Sequence, residues 1–295
     1  MPPVENQVLD DWLARGRFTP TDSGAVFFMT TPAGADDGLD PVLIIHGYPT
    51  CSFDWRRVIP VLAARRQVVA LDLPGFGLSA KPDERYSIRK YADAVESVVR
   101  ALGLERVALI THDMGNTVGG ELLARALEGA LSFEVSERVL TNGSIYIDMA
   151  QLTAGQQMLL TLPDERIEGV FEEAAFTEAL AAICSPAHQP DPEDLAALWA
   201  FMAHDDGHTL LARTIRYIED RRAEEARFTG AIETHPSPLG VVWGELDPVA
   251  VFAMTARLLE ARPDAALVTL DDVGHFPMLE APERFTSAIE GLLSH

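Results

Sequence analysis

Cysteine is scarce: the chain holds two in 295 residues, Cys51 and Cys184. Two thiols so far apart make no disulfide framework and suit a reducing compartment, so a cytoplasmic location is expected. Positive charge is also in short supply. The chain carries 23 Lys and Arg against 45 Asp and Glu, a net charge of −22. That balance argues against nucleic acid and anionic membrane surfaces as partners. No apolar run approaches the roughly 20 residues of a membrane span. The amino-terminal MPPVENQVLDDW has no apolar signal-peptide core. Repeats and low-complexity segments are absent, and the charges are dispersed rather than blocked, which excludes disorder. What is present is a 47% hydrophobic chain, enough for one large domain or a domain with an insertion.

Hydrophobic periodicity divides the chain into three stretches. Phe18 to Thr30 alternates like a strand pair and leads to the apolar run Pro41–Ile45. Arg56 to Ala64 has a helical period, and Gln67–Leu71 reads as a strand closed by Asp72-Leu-Pro-Gly-Phe-Gly77. Ser87–Leu102 is a long amphipathic helix, Val107–Ile110 a strand, Met114–Leu127 a helix and Arg138–Thr141 a short strand. Such alternation means a parallel sheet with helices on both faces. From Ala150 to Phe228 strand signal gives way to Ala, Leu and Glu with turns at Pro163, Pro186 and Pro192, a helical insertion. Pro238–Trp243 and Ala266–Leu270 resume the sheet, and Ala281–Leu293 closes the chain as a helix. The expected division is core 1–145, helical cap 146–233 and core 234–295.

Ligand sites in such sheets lie at the carboxyl ends of the strands. Thr111-His-Asp-Met-Gly115 stands between a strand and a helix, where a nucleophile elbow presents its reactive residue. An isolated Asp113 would read as a helix N-cap. Three further motifs favour chemistry. His46-Gly-Tyr-Pro49 can supply an oxyanion N–H from Tyr48, to join that of Met114. Gly244-Glu-Leu-Asp247 places a carboxylate past the next-to-last strand, and Gly274-His275 follows the last one. Nucleophile, acid, histidine is the α/β-hydrolase order.

With these motifs the chain resembles the Asp-nucleophile α/β-hydrolases, the group of soluble epoxide hydrolases and haloalkane dehalogenases. HGYPTCSFDW, ALDLPGFGLSAKP, THDMGNTVGGELLAR, LTNG and WGELDPV resemble in particular its mesoderm-specific-transcript-like branch. The resemblance covers nearly the whole chain and is weakest in the cap. It implies a mostly parallel eight-stranded sheet flanked by helices, a helical cap inserted after the sixth strand, and no cofactor or metal.

A carboxylate nucleophile is wrong for acyl transfer, because the mixed anhydride would collapse. It suits displacement at saturated carbon, which leaves an alkyl ester on Asp113. His275 would then activate water against that ester, with Asp247 orienting the imidazole and the Tyr48 and Met114 N–H groups holding the oxyanion. The expected substrate is a small hydrophobic electrophile, acted on by a monomer or homodimer. The leaving group separates the alternatives. An epoxide needs a proton donor, and Tyr217 resembles in its place one of the two ring-opening tyrosines of epoxide hydrolases. Only Tyr146 offers itself as the other. A halide needs N–H donors, in dehalogenases a Trp directly after the nucleophile, where Met114 stands here. Trp199 in the cap could take that part, although a core tryptophan is its simpler reading. His112 before the nucleophile also resembles the epoxide hydrolases, and His46 and His112 read as scaffolding beside the pocket. His204-Asp-Asp-Gly-His208 reads as a turn capping the Tyr217 helix rather than a zinc site. Epoxide hydrolysis is therefore the leading expectation, followed by carbon–halogen hydrolysis and by a hydrolase fold kept for binding alone.

Overall fold

The computed structural model describes residues 4–34, 38–169 and 171–293. Its strands are β1 (Gly16–Thr21), β2 (Gly24–Thr31), β3 (Val42–Ile45), β4 (Val68–Leu71), β5 (Arg106–His112), β6 (Glu134–Thr141), β7 (Leu239–Gly244) and β8 (Ala266–Leu270). They form one sheet ordered β1-β2-β4-β3-β5-β6-β7-β8. The pairings of β1 with β2 and β2 with β4 are antiparallel; the rest are parallel. Every residue of β3 and β4 is buried, as parallel strands covered on both faces must be.

The covering helices are α1 (Val4–Leu13), α2 (Ile59–Leu62), α3 (Ile88–Ala101) and α4 (Met114–Leu127). Six more lie between β6 and β7: α5 (Ala154–Thr161), α6 (Glu173–Ile183), α7 (Pro192–Ala203), α8 (Leu211–Thr214), α9 (Tyr217–Ala223) and α10 (Glu225–Thr234). The last are α11 (Ala253–Ala261), α12 (Pro277–Glu280) and α13 (Pro282–Leu292). None of the helices in the described residues is long and apolar enough to cross a membrane.

Three local expectations are revised. The helix expected over Arg56–Ala64 is a 3₁₀ turn at Ser52–Trp55 followed by the short α2. Pro60 sits in the first turn of α2, where its missing N–H costs nothing and starts a new helix. β6 begins at Glu134, before the expected Arg138. Glu134 and Glu137 break the apolar pattern there, and Glu137 and the adjoining Arg138 are buried with partners. The Arg138 guanidinium donates to Ile232 O at 2.8 Å and His235 O at 3.0 Å. Glu137 accepts from Arg66 at 2.8 Å. His204–Leu210 is a 3₁₀ turn with Asp205 and Asp206 at φ 49° and 57°. It precedes α8 rather than capping α9, so the turn is correct and its attachment is not.

Helix α10 crosses α4 closely. A Cβ on Gly120 would stand 2.7 Å from Phe228 O, a backbone atom that cannot swing aside. Gly120→Ala gains about 1 kcal/mol of helix propensity and meets overpacking of about 1–3 kcal/mol. Urea unfolding should show a net loss of stability. A stabilised variant would mean that the two helices are not in this contact.

Candidate active site

The turn from β5 into α4 holds Asp113 at φ 46° and ψ −115°. A non-glycine residue there costs on the order of 1–3 kcal/mol and persists only where its surroundings fix it. Its N–H donates to Asn142 O at 2.9 Å, and its carbonyl accepts from Asn116 N at 3.0 Å. Three glycines leave room for the turn. A Cβ at Gly47 would lie 2.6 Å from Asp113 Cβ, at Gly143 2.8 Å from Asp113 Cα, and at Gly115 2.5 Å from Ile45 O. The Thr111 hydroxyl donates to Asn116 Oδ1 at 2.6 Å and fixes the first turn of α4.

The two oxygens of Asp113 have different surroundings. Oδ2 accepts the Tyr48 N–H at 2.9 Å, whereas Oδ1 lies 4.0 Å from His275 Nε2. Met114 opens α4, so its N–H is among those the helix leaves unpaired, and the helix dipole favours negative charge at this end.

Across the imidazole, His275 Nδ1 donates to Asp247 Oδ2 at 2.8 Å. Asp247 is saturated otherwise: Asn142 Nδ2 donates to Oδ2 at 2.8 Å, and the N–H groups of Val249 and Ala250 donate to Oδ1 at 2.8 and 2.9 Å. Asp113, Asp247 and His275 are 3%, 4% and 2% exposed. Burial by itself lowers the His275 pKa. Asp247, then Asp113 and Glu280, outweigh it and raise the value from 6.5 to about 9.

Two positioning residues escaped the sequence reading. Asn142 binds the Asp247 carboxylate through its side chain and the Asp113 N–H through its carbonyl, so it ties Asp247 to the backbone of the elbow. Glu280 accepts the N–H groups of Gly274, Phe276 and Ser185 at 2.7, 2.8 and 2.7 Å. It thereby ties the His275 loop to the end of α6, where Ile183 O accepts the His275 N–H at 3.0 Å. The only available signals were a polar residue at a strand end before Gly143 and a glutamate soon after the histidine.

An apolar cavity of about 190 Å³ opens against this group between the sheet edge and α5, α6 and α8. Tyr48 and His275 line its inner end, with Leu159, Phe176, Leu180 and Leu211 among the apolar walls. Tyr217 is buried, its ring 5.5 Å from that of Tyr48. Burial, then the Asp113 charge, raises its phenol above the usual value, and Arg221, stacked 5.1 Å from the ring, opposes this.

The remaining candidates sit apart or act as scaffold. Tyr146 donates to Glu233 at 2.8 Å beneath Arg257, and Trp199 packs on Phe176 and His208. Neither is drawn to the triad, because each is already engaged elsewhere. His46 donates through Nδ1 to Gly47 O at 2.7 Å and accepts Leu73 N–H on Nε2 at 2.9 Å, so both nitrogens are spent. Burial, then the His275 charge, keeps His112 well below the usual histidine range. No group of three or more His, Cys, Asp or Glu among the described residues is placed to hold a metal ion.

The raised pKa fixes a sign. Ion pairing of His275 stabilises the fold fully below pH 6.5 and is lost as pH rises through about 9. The difference in urea-unfolding free energy between the wild type and His275→Gln should therefore fall by on the order of 3 kcal/mol from pH 6 to pH 10. A constant difference would mean that the imidazole is neutral in the resting protein.

Comparison with known proteins adds the following. The profile of the alpha/beta hydrolase family matches residues 42–288. A Mycobacterium tuberculosis protein named as the hydrolase LipZ is 38% identical over 284 residues, 96% of this chain and 97% of its own. The mesoderm-specific transcript protein of Mus musculus is 30% identical over 305 residues, 99% of this chain and 90% of its own. Among solved structures, a thermophilic esterase from Thermogutta terrifontis has a TM-score of 0.73 at 20% identity, covering 94% of this chain and 97% of that one. The epoxide hydrolase CorEH has a TM-score of 0.71 at 17% identity, with the same coverages of 94% and 97%. At such identities the two structures share the fold alone.

Proposed function

The chain belongs to the alpha/beta hydrolase family, and on that premise we propose that it opens an epoxide to a vicinal diol through an alkyl ester on Asp113. One observation carries this reading: the Asp113 carboxylate has one oxygen held by the Tyr48 N–H and the other turned toward His275. A serine at this elbow would be acylated by its substrate; a divided carboxylate is suited to being alkylated, the ester then being hydrolysed.

Oδ1 attacks an epoxide carbon and the carbon–oxygen bond breaks. The departing oxygen takes the Tyr217 proton, giving the Asp113 ester and a phenolate that Arg221 stabilises. The imidazolium of His275 returns a proton to the phenolate and becomes a neutral base. Esterification favours that transfer, since it removes the Asp113 charge that helped to raise the His275 pKa. Water, deprotonated by His275, adds to Cγ of Asp113. The oxyanion forms on Oδ2, already at the Tyr48 N–H, with the Met114 N–H as the second donor. Collapse expels the diol, protonated from His275, and the Asp113 acid returns its proton to the imidazole. The sum is epoxide plus water giving diol.

A carbon–halogen hydrolase would use the same ester but needs paired N–H donors for the halide. Met114 occupies the position after the nucleophile, and Trp199 is packed against Phe176 and His208. Segment 146–233 is assigned as the cap over this chemistry, with 1–145 and 234–295 as the core.

Styrene oxide should yield phenylethanediol, and Asp113→Asn should lower that rate by at least about three orders of magnitude. In His275→Gln the protein should gain one epoxide mass on the peptide containing Asp113. Diol formation that survives Asp113→Asn would sink the mechanism.

A further inference from the structure

One acid is a meagre provision for an alkoxide leaving group in an apolar pocket, and among the described residues of the cap Tyr217 is the phenol on which the Asp113 charge acts. A second phenol is already there, on a residue assigned so far for its backbone. We propose that the Tyr48 side chain is the second acid of ring opening, its hydroxyl binding the epoxide oxygen together with that of Tyr217; this rests on the epoxide reading above.

Placement carries the proposal. The Tyr48 hydroxyl is buried without a hydrogen-bond partner among the described residues. Leaving a buried hydroxyl unpaired costs about 1–3 kcal/mol, and a phenylalanine would fill the same space without that cost. Tyr86 and Tyr146 are satisfied, by Pro82 O at 2.7 Å and Glu233 at 2.8 Å. Tyr91 also lacks a partner, but it packs against Tyr86 and Phe76, and Asp113 is not among the charges that lead on its phenol, as it is for Tyr48 and Tyr217. Tyr48 does line the cavity, beside His275. Its ring meets that of Tyr217 at 5.5 Å with a tilt of 39°. Its own N–H holds Asp113 Oδ2, so ring and nucleophile are positioned by one residue.

The electrostatics agree. Burial and then the Asp113 charge raise the Tyr48 phenol, and the same two causes lead for Tyr217. Both protons are therefore held firmly until Oδ1 attacks. Attack neutralises the carboxylate, so the charge that retained the protons disappears as the epoxide oxygen demands one. One phenol transfers its proton to that oxygen while the other donates a hydrogen bond, and the His275 imidazolium reprotonates the phenolate. Two donors share the developing charge where one would bear it alone.

Tyr48→Phe keeps the backbone N–H and the ring and removes only the hydroxyl. In single turnover with styrene oxide, formation of the Asp113 ester should slow by about 10- to 100-fold, while hydrolysis of the ester, once formed, keeps its wild-type rate. Tyr48→Phe with Tyr217→Phe should slow ester formation further than either alone. A structural role would instead lower both steps together with the melting temperature. Should Tyr48→Phe fold poorly, 3-fluorotyrosine placed at position 48 lowers the phenol pKa and should move the alkaline limb of ester formation to lower pH. Ester formation at the wild-type rate in Tyr48→Phe, or an unmoved limb with fluorotyrosine, overturns this proposal and leaves the epoxide reading standing. A wild-type protein that forms diol from no epoxide overturns both.

Discussion

Two carboxylates and one imidazole, nearly out of reach of water, can share a site only if the imidazole carries charge. Asp113, Asp247 and His275 stand in this relation, and the His275 pKa of about 9 expresses it. Taking such charges out of water costs on the order of several kcal/mol each. The protein offsets this with fixed dipoles: backbone N–H groups on Asp247 Oδ1 and Asp113 Oδ2, and the Asn142 amide on Asp247 Oδ2. In the mechanism proposed above, the same arrangement sets the order of events: the imidazole acts as an acid while Asp113 is charged and as a base once Asp113 is an ester.

That charge arrangement depends on backbone convergence at one edge of the sheet. β3 delivers the Tyr48 N–H, β5 Asp113, β6 Asn142, β7 Asp247 and β8 His275. The approach is so close that glycines at 47, 115 and 143 meet the elbow with no space for a Cβ. Gly274 does the same for the histidine loop, since a Cβ there would stand 2.7 Å from Ser185 N. The insertion is thereby fastened to the loop that carries His275, and Glu280 strengthens the fastening.

Much of this was legible because strand ends punctuate the sequence with polar and small residues. The runs VLII, VVAL and VVWG are apolar throughout, and the residues after them stand out. The Asp113, Asp247 and His275 positions follow from motif order, and the structure brings those three side chains together. Less was legible where polar residues are buried with partners. Glu134 and Glu137 obscured the first half of β6, and Asn142 and Glu280 make hydrogen bonds that periodicity does not mark. In the insertion no such punctuation exists. Tyr146 and Trp199 were candidates by residue type alone, and their neighbours Glu233, Phe176 and His208 were unknowable from spacing. The side chain of Tyr48 was hidden differently, because its motif draws attention to its amide.

The most direct measurement follows the oxygen of water. With enzyme in excess over an epoxide in H₂¹⁸O, a single turnover through an Asp113 ester places the label in the Asp113 carboxylate, and the diol carries an unlabelled oxygen taken from that carboxylate. Mass spectrometry of the peptide containing Asp113 and of the diol reads both. Label in the diol after the first turnover, with none in Asp113, would mean that water attacks the substrate directly and that no ester forms.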